Sequence, residues 1–196
     1  MSGRRLLAVA SAAVVLLGGA GVLIGTRLAG DGGGRVDGGP IAPPKDAGYY
    51  GVGHAAPRGQ RLSYGILVAE NEGDATATLE RVEAAETTPG MRVVGSYAQP
   101  PSNAPGVGLL EGFPPTPSGT IHARVDGYAV RPHEDFRIVL GVTTVRDGMQ
   151  MFHKLRLYYR AGGRRYVSTW PLGLRLCSPV SRYLDRCPAP RSTDRG

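Results

Sequence analysis

The feature that most constrains this chain is an uncharged apolar run near its start, Leu6–Ile24. The run is 19 residues long, and as a helix it spans about 28 Å, close to the thickness of a bilayer's hydrocarbon core. Arg4 and Arg5 precede it, and such basic flanks stay in the cytoplasm. We therefore predict a single-pass cell-membrane anchor with the N-terminus inside. Its anchoring residues are Leu6, Leu7, Val14, Val15, Leu16, Leu17, Val22, Leu23 and Ile24.

A cleaved secretory signal is the alternative interpretation of the same run. Cleaved signals have a shorter apolar core, of about 7–15 residues, and end in a small-x-small site. The nearest such site here is Leu28-Ala29-Gly30, and Arg27 occupies a position that should be small. An uncleaved anchor is favoured, and whether the segment is removed stays open.

The composition changes after the anchor, and this predicts four regions. Residues 1–28 form a cytoplasmic stub and the anchor, and residues 29–60 are so rich in glycine and proline that we expect a flexible linker. Residues 61–187 form an extracytoplasmic domain, which is large enough to bury a core. Residues 188–196 are expected to be a disordered tail.

The positive charge of the chain does not by itself indicate nucleic acid. The formal net charge is +7, but it is carried by arginine, with lysine only at Lys45 and Lys154. Abundant arginine, alanine, glycine and proline are typical of a GC-rich bacterial genome, and this bias explains much of the charge. A domain outside the cytoplasm also does not meet nucleic acid. Anionic lipid, anionic wall polymer or an acidic protein remain possible partners.

Alternation of apolar and polar residues predicts an all-β domain from residue 61 onward. Leu62, Tyr64, Ile66 and Val68 define the first strand, and the first three strands are expected to form a meander. Arg146-Asp147-Gly148 is typical of a hairpin turn. Short strands with frequent turns favour a β-sandwich of about seven antiparallel strands. The predicted strands are 62–69, 75–85, 91–98, 120–130, 136–142, 150–160 and 164–176.

Two stretches resemble bacterial immunoglobulin-like domains. The first is Glu70–Val82, a polar turn that leads into a strand, and the second is Gly127–Val142. The layout of anchor, linker and domain also resembles single-pass membrane proteins of actinobacteria. This resemblance covers about residues 60–177, and it implies an extracytoplasmic immunoglobulin-like fold but no activity.

The two cysteines, Cys177 and Cys187, are the only ones in the chain and are expected to form a disulfide. In an oxidising compartment a disulfide is the ordinary state of such a pair. A metal site would favour a closer spacing and further ligands nearby.

The last predicted hairpin, Gln150–Leu176, carries six basic residues and no acidic one. Alternation predicts that Leu155, Leu157, Tyr159 and Val167 face inward, while Tyr166, Ser168 and Trp170 face outward. The opposite alternation would place the tyrosines in the core. Arginine, tyrosine and tryptophan are enriched at protein interfaces. The candidate partner-binding residues are Lys154, Arg156, Tyr158, Arg160, Arg164, Tyr166 and Trp170.

No catalytic, cofactor-binding or metal motif is recognised in the sequence. No nucleophile elbow or phosphate-binding glycine loop is present, and the carboxylates Glu80, Glu83 and Glu86 are not expected to converge on one strand face. We therefore expect a non-enzymatic module that binds a membrane or envelope protein, with no cofactor. The alternatives are a metal or small-ligand carrier, for example for copper on Met149, Met151 and His153, and a binder of cell wall or anionic lipid.

Overall fold

The computed structural model of the chain describes residues 34–100, 108–114, 123–184 and 186–194, apart from the side chain of Ile66. Within these ranges it contains thirteen strands and one helical turn, α1 (Val180–Tyr183). The strands are β1 (Val36–Asp37), β2 (Tyr50–Ala55), β3 (Leu62–Glu70), β4 (Ala77–Ala85), β5 (Met91–Gln99), β6 (Leu109–Glu111), β7 (Ala123–Arg124), β8 (Ala129–Val130), β9 (Asp135–Thr144), β10 (Gly148–Phe152), β11 (Lys154–Ala161), β12 (Arg164–Trp170) and β13 (Leu172–Ser178).

The strands form three sheets in a sandwich-like, all-β arrangement. Sheet I has the order β1-β12-β11-β4-β8, sheet II the order β10-β13-β2, and sheet III the order β6-β3-β9-β5-β7. Most neighbours are antiparallel, but β1 runs parallel to β12 and β2 runs parallel to β13. The all-β prediction is confirmed, whereas the expectation of about seven antiparallel strands is wrong in count and in these two pairings.

Sheets I and II are joined by one long, bent hairpin. β11 pairs with β12 across the Gly162-Gly163 turn, and the same two chain segments continue as the antiparallel pair β10 and β13. The continuation is interrupted at His153 on one side and Pro171 on the other, where no ladder pair forms. Proline cannot donate to a ladder, so its position marks the corner at which the hairpin leaves one sheet for the other.

The core lies between the inner faces of the sheets. Leu155, Leu157 and Tyr159 of β11 are each no more than 1% exposed, so the alternation predicted for this strand is confirmed. Tyr64 of β3 reaches sheet II, where its hydroxyl donates a hydrogen bond to the Gly173 carbonyl (3.0 Å) and its ring meets Phe152 edge-on. Burial raises the pKa of Tyr64, so this hydroxyl remains a donor.

β-Bulges change the alternation in three strands. The register of β3 against β9 shifts between Tyr64 and Leu67, so Leu67 and Ala69 are buried while Val68 is 46% exposed. Val68 therefore does not share the buried side of Leu62 and Tyr64, although regular alternation places the three residues on one face. Similar shifts occur in β4 and in β5. A bulge adds one residue to one strand and moves every later side chain to the other face.

The predicted meander and two predicted strands also differ from the structure. β4 pairs with β11 in sheet I, whereas β3 and β5 flank β9 in sheet III, so the first three long strands do not form a meander. The described part of the strand predicted over 120–130 is split into β7 and β8 by a turn in which Gly127 has a positive φ of 83°. Arg146-Asp147-Gly148 does form a turn, but β10 pairs with β13 rather than with β9.

The described part of the predicted flexible linker, residues 34–60, belongs to the folded domain. It contributes β1 and β2, and Ile41 between them is completely buried. The Tyr159 hydroxyl accepts from the Ile41 N–H (2.9 Å) and donates to the Gly38 carbonyl (2.8 Å). Hydrogen bonds of this kind offset the conformational entropy that a glycine-rich segment with little apolar surface loses on folding. The linker prediction is therefore wrong for residues 34–60.

The predicted disordered tail is likewise packed where the structure describes it. Cys177 and Cys187 form the predicted disulfide, and the segment that follows, residues 187–194, lies across sheet II. We call this segment the strap. Pro190 within it is buried, and its contacts with β2 and β13 replace the expected disorder.

Among the described residues, no helix is long and apolar enough to cross a membrane. The predicted anchor, Leu6–Ile24, lies outside the residues that the structure describes.

Replacing Tyr159 with phenylalanine tests whether residues 36–41 belong to the domain. The change leaves the buried Ile41 N–H without its partner, so we expect a loss of about 1–2 kcal/mol in the free energy of unfolding, measured by urea denaturation. The matched control is Tyr50→Phe, since Tyr50 is 56% exposed, and it should change stability little. Equal stability of the two variants would mean that the segment is not held by this hydroxyl.

Candidate functional site

The outer surface of β11 and β4 carries a row of paired charges. Lys154 Nζ lies 2.6 Å from the Glu86 carboxylate, and Arg160 Nε lies 2.8 Å from Glu80. Lys154, Arg156, Tyr158 and Arg160 alternate with the buried residues of β11, as predicted, and share this surface. We call it the hairpin face. Its members are Arg35, Glu80, Arg81, Glu83, Glu86, Lys154, Arg156, Tyr158, Arg160 and Arg165.

Glu80 gathers three cations because it sits at the bulge in β4. Tyr158 pairs with Arg81 and Tyr159 with Leu79, so Glu80 is the extra residue between them. Its carboxylate lies 2.8, 3.5 and 3.9 Å from Arg160, Arg165 and Arg35, and its side chain is only 18% exposed. The bulge therefore holds a carboxylate at the centre of a basic surface.

Tyr158 lies at the centre of the face and is covered by guanidinium groups. Arg81 stands 4.0 Å from the centroid of its ring and Arg35 stands 5.0 Å from it. The Tyr158 hydroxyl donates to Glu83 (3.0 Å). Only 8% of the residue is exposed, so an approaching partner meets the edges of the two arginines rather than the ring. Guanidinium groups stacked in this way keep their N–H edges available to carboxylates.

The structure does not bring three of the predicted residues to this face. Trp170 is 7% exposed and belongs to the core, and Tyr166 packs against the core, stacked on Tyr159 at 5.3 Å. Ser168 is completely buried and donates to the Gly38 carbonyl (3.1 Å). The outward positions predicted for these side chains are therefore wrong, because the alternation of β12 is the reverse of the prediction.

Arg164 is exposed beside the turn. It is two residues from Tyr166, so it lies on the same side of β12 as Tyr166 and not on the side of the hairpin face. It opens β12, opposite Ala161 of β11. The outer positions of β12 are Arg165, Val167 and Thr169. Val167 is thus also placed on the opposite side from the one predicted.

The acidic half of the hairpin face was not predicted from the sequence. Glu80, Glu83 and Glu86 lie on the same surface as the cations of β11, contrary to the expectation that they would not converge. Two of them make direct pairs with predicted residues, and Glu83 binds Tyr158. A spacing of three residues places Glu80 and Glu83 on opposite faces of a regular strand, and only the bulge formed against β11 brings them to one face. Glu86 lies just beyond the end of β4.

The balance of charge on the hairpin face is positive. Six cations face three carboxylates, and the hydrogen bond from Lys154 is the largest cause that holds the pKa of Glu86 below its ordinary value. Among the described residues, Arg156 makes no ion pair within 4.0 Å, and it is only partly buried. The hairpin face is therefore an ordered surface of net positive charge, and Arg156 is the cation that can still pair with a carboxylate of a partner.

A second polar cluster lies under the strap, on the outer face of sheet II. Arg175 is 7% exposed and forms an ion pair with Asp194 of the strap. The Arg191 backbone N–H and, after it, Arg175 hold the pKa of Asp194 below its ordinary value. His153 Nδ1 lies 3.2 Å from the Tyr49 hydroxyl, and burial raises the pKa of Tyr49. This cluster was not predicted, because its residues lie far apart in the sequence.

Of the three residues considered for copper, Met149 and Met151 lie on β10, and His153 follows its last residue at the bend of the hairpin. Met149 is 45% exposed, and Met151 Sδ lies 3.5 Å from Arg175 Nη2. A guanidinium at the thioether opposes a second cation there. Within the described ranges, no group of three histidine, cysteine or acidic residues could hold a metal ion.

Comparison with known proteins gives no relative from which an activity could be transferred. No protein-family model matches the chain, and no curated protein does. Among solved structures, the VesB protease of Vibrio cholerae is similar over 64% of this chain and 31% of its own, at 10% identity and a TM-score of 0.33. The ASH/PapD-like domain of human CEP192 (PapD-like domain 7) is similar over 71% of this chain and 91% of its own, at 9% identity and a TM-score of 0.32.

The chain thus spans about a third of the length of the Vibrio protease chain. Both TM-scores are low, and we draw no argument from either likeness.

Replacing Glu80 with glutamine tests whether this carboxylate organises the hairpin face. Three guanidinium groups then lose their common partner, so we expect a loss of about 1–2 kcal/mol in unfolding free energy at low salt, which shrinks as salt screens the cations. The control is Glu86→Gln, whose exposed pair with Lys154 should contribute less than about 0.5 kcal/mol. Equal losses in the two variants would contradict a central role for Glu80.

Proposed function

We propose that the chain is a non-enzymatic interaction module, anchored in the cell membrane by Leu6–Ile24, with an extracytoplasmic immunoglobulin-like sandwich. In this proposal the hairpin face binds an acidic surface on another membrane or envelope protein. The Cys177–Cys187 disulfide supports the oxidising location, because disulfides persist mainly in such compartments.

The observation that carries the proposal is the ordered excess of positive charge on the hairpin face. The cations are held on a rigid sheet by the Glu80, Glu83 and Glu86 carboxylates, so little side-chain entropy is lost when a partner binds them. Arginine forks recognise carboxylates with two parallel hydrogen bonds. An acidic protein surface therefore fits this face better than a neutral or basic one.

The other two candidate functions have different support. A cell-wall polymer or anionic lipid would be drawn to the same positive charge, and its binding would depend steeply on salt. The copper carrier has less support, since the contact of Met151 with Arg175 opposes cation binding.

Site-specific photo-crosslinking in native membranes tests the proposal. The reactive group replaces Thr169, which is exposed on the outer side of β12 opposite Arg156, and a control probe replaces the exposed Glu111 on sheet III. We expect one discrete protein adduct from position 169 only. Arg156→Glu should reduce it about tenfold or more by charge repulsion, with an unchanged thermal transition.

The matched control is Arg58→Glu, which changes the net charge equally at an exposed turn and should leave the adduct intact. Equal smears from both probes, or an adduct insensitive to Arg156→Glu, would contradict the assignment of the face. A lipid or polymer adduct would favour the second candidate function instead.

A further inference from the structure

The strap covers two glycines on the outer face of sheet II, and we call this covered strip the groove. Gly51 and Gly53 of β2 lie beneath the strap, and a Cβ at Gly51 would stand only 2.5 Å from the Pro190 carbonyl oxygen. A Cβ at Gly53 would overlap Cys187 and Pro188. Only glycine therefore lets a proline-containing main chain lie directly on this strand.

A buried cation lies at the centre of the groove. Arg175 of β13 stands opposite Gly53 in the ladder. Its Nη1 donates to the Pro188 carbonyl (3.2 Å), and its Nη2 binds the Asp194 carboxylate. The strap is thus a short peptide whose main chain lies on glycine and whose acidic side chain is held by arginine, as acidic motifs commonly are.

Hydrogen-bonding groups remain in the groove that the strap does not use. Arg175 Nε and His153 Nε2 are buried, and neither has a hydrogen-bond partner among the described residues. His153 is 3% exposed, and its Nδ1 lies 3.2 Å from the Tyr49 hydroxyl. Arg175 Nε is a donor in every state of the side chain, so a bound acidic segment whose carboxylate approaches it would supply the acceptor that the strap leaves out.

We propose that this groove is a binding site for an acidic, proline-containing peptide segment of a partner protein, and that the strap occupies it as an internal competitor. The site is separate from the hairpin face and does not rest on the function proposed for that face. The disulfide keeps the start of the strap beside β13, so its effective concentration at the groove is high and a peptide in trans must displace it.

Peptide binding to the full chain tests this inference. The probes are the peptide PAPRSTD, which copies residues 188–194, and the matched peptide PAPRSTN. In the Asp194→Asn chain the strap loses its carboxylate, so we expect PAPRSTD to bind this variant at least tenfold more tightly than it binds the wild type. PAPRSTN should bind the variant at least tenfold more weakly than PAPRSTD does, measured by fluorescence anisotropy.

Two further variants of the chain serve as controls for the peptide-binding test. Asp46→Asn changes an exposed aspartate in a loop and should bind PAPRSTD no better than the wild type. A chain in which residues 188–194 are replaced by glycine and serine removes the strap while keeping the disulfide, and it should bind PAPRSTD as tightly as Asp194→Asn does. Absence of binding to both strap variants, or equal binding of the two peptides, would overturn the proposal.

Discussion

The bend in the long hairpin, at His153 and Pro171, is the constraint on which the rest of this structure depends. Before the bend, the paired strands belong to sheet II, and after it they belong to sheet I. One hairpin therefore supplies part of the core, four of the six cations of the hairpin face and the buried Arg175 under the strap. Because both surfaces are built on paired strands rather than on loops, their side chains are held in fixed positions.

The alternation of apolar residues predicted the regular parts of the fold and failed at its irregular ones. Leu155, Leu157 and Tyr159 face inward as predicted, because β11 contributes no extra residue along their length. Val68 follows a bulge in β3, and Glu80 is the extra residue of a bulge in β4. At each bulge two residues oppose one residue of the partner strand, so these side chains leave the regular alternation. A bulge depends on the partner strand, so it cannot be read from one segment alone. The acidic half of the hairpin face was missed for this reason.

Glycine and proline were interpreted as signs of disorder, and here they mark close packing. Gly51 and Gly53 lie in a strand because the strap needs their missing side chains, and Pro190 is buried against that strand. Local composition predicts a flexible linker correctly only where no distant part of the chain packs on that stretch. Here the strap packs on β2 and Tyr159 packs on Ile41, and both lie more than one hundred residues further along the chain. The candidate binding groove is the contact between these two stretches, so neither stretch could reveal it alone.

We conclude above all that the glycine-rich residues 34–60 belong to the folded domain. Amide hydrogen exchange on the full chain tests it most directly, because exchange reports the hydrogen bonding of each backbone segment. We expect the amides of β2, residues 50–55, to exchange at least a hundredfold more slowly than an unstructured peptide, in parallel with those of β13. Exchange of residues 50–55 at the rate of an unstructured chain, with β13 still protected, would contradict it.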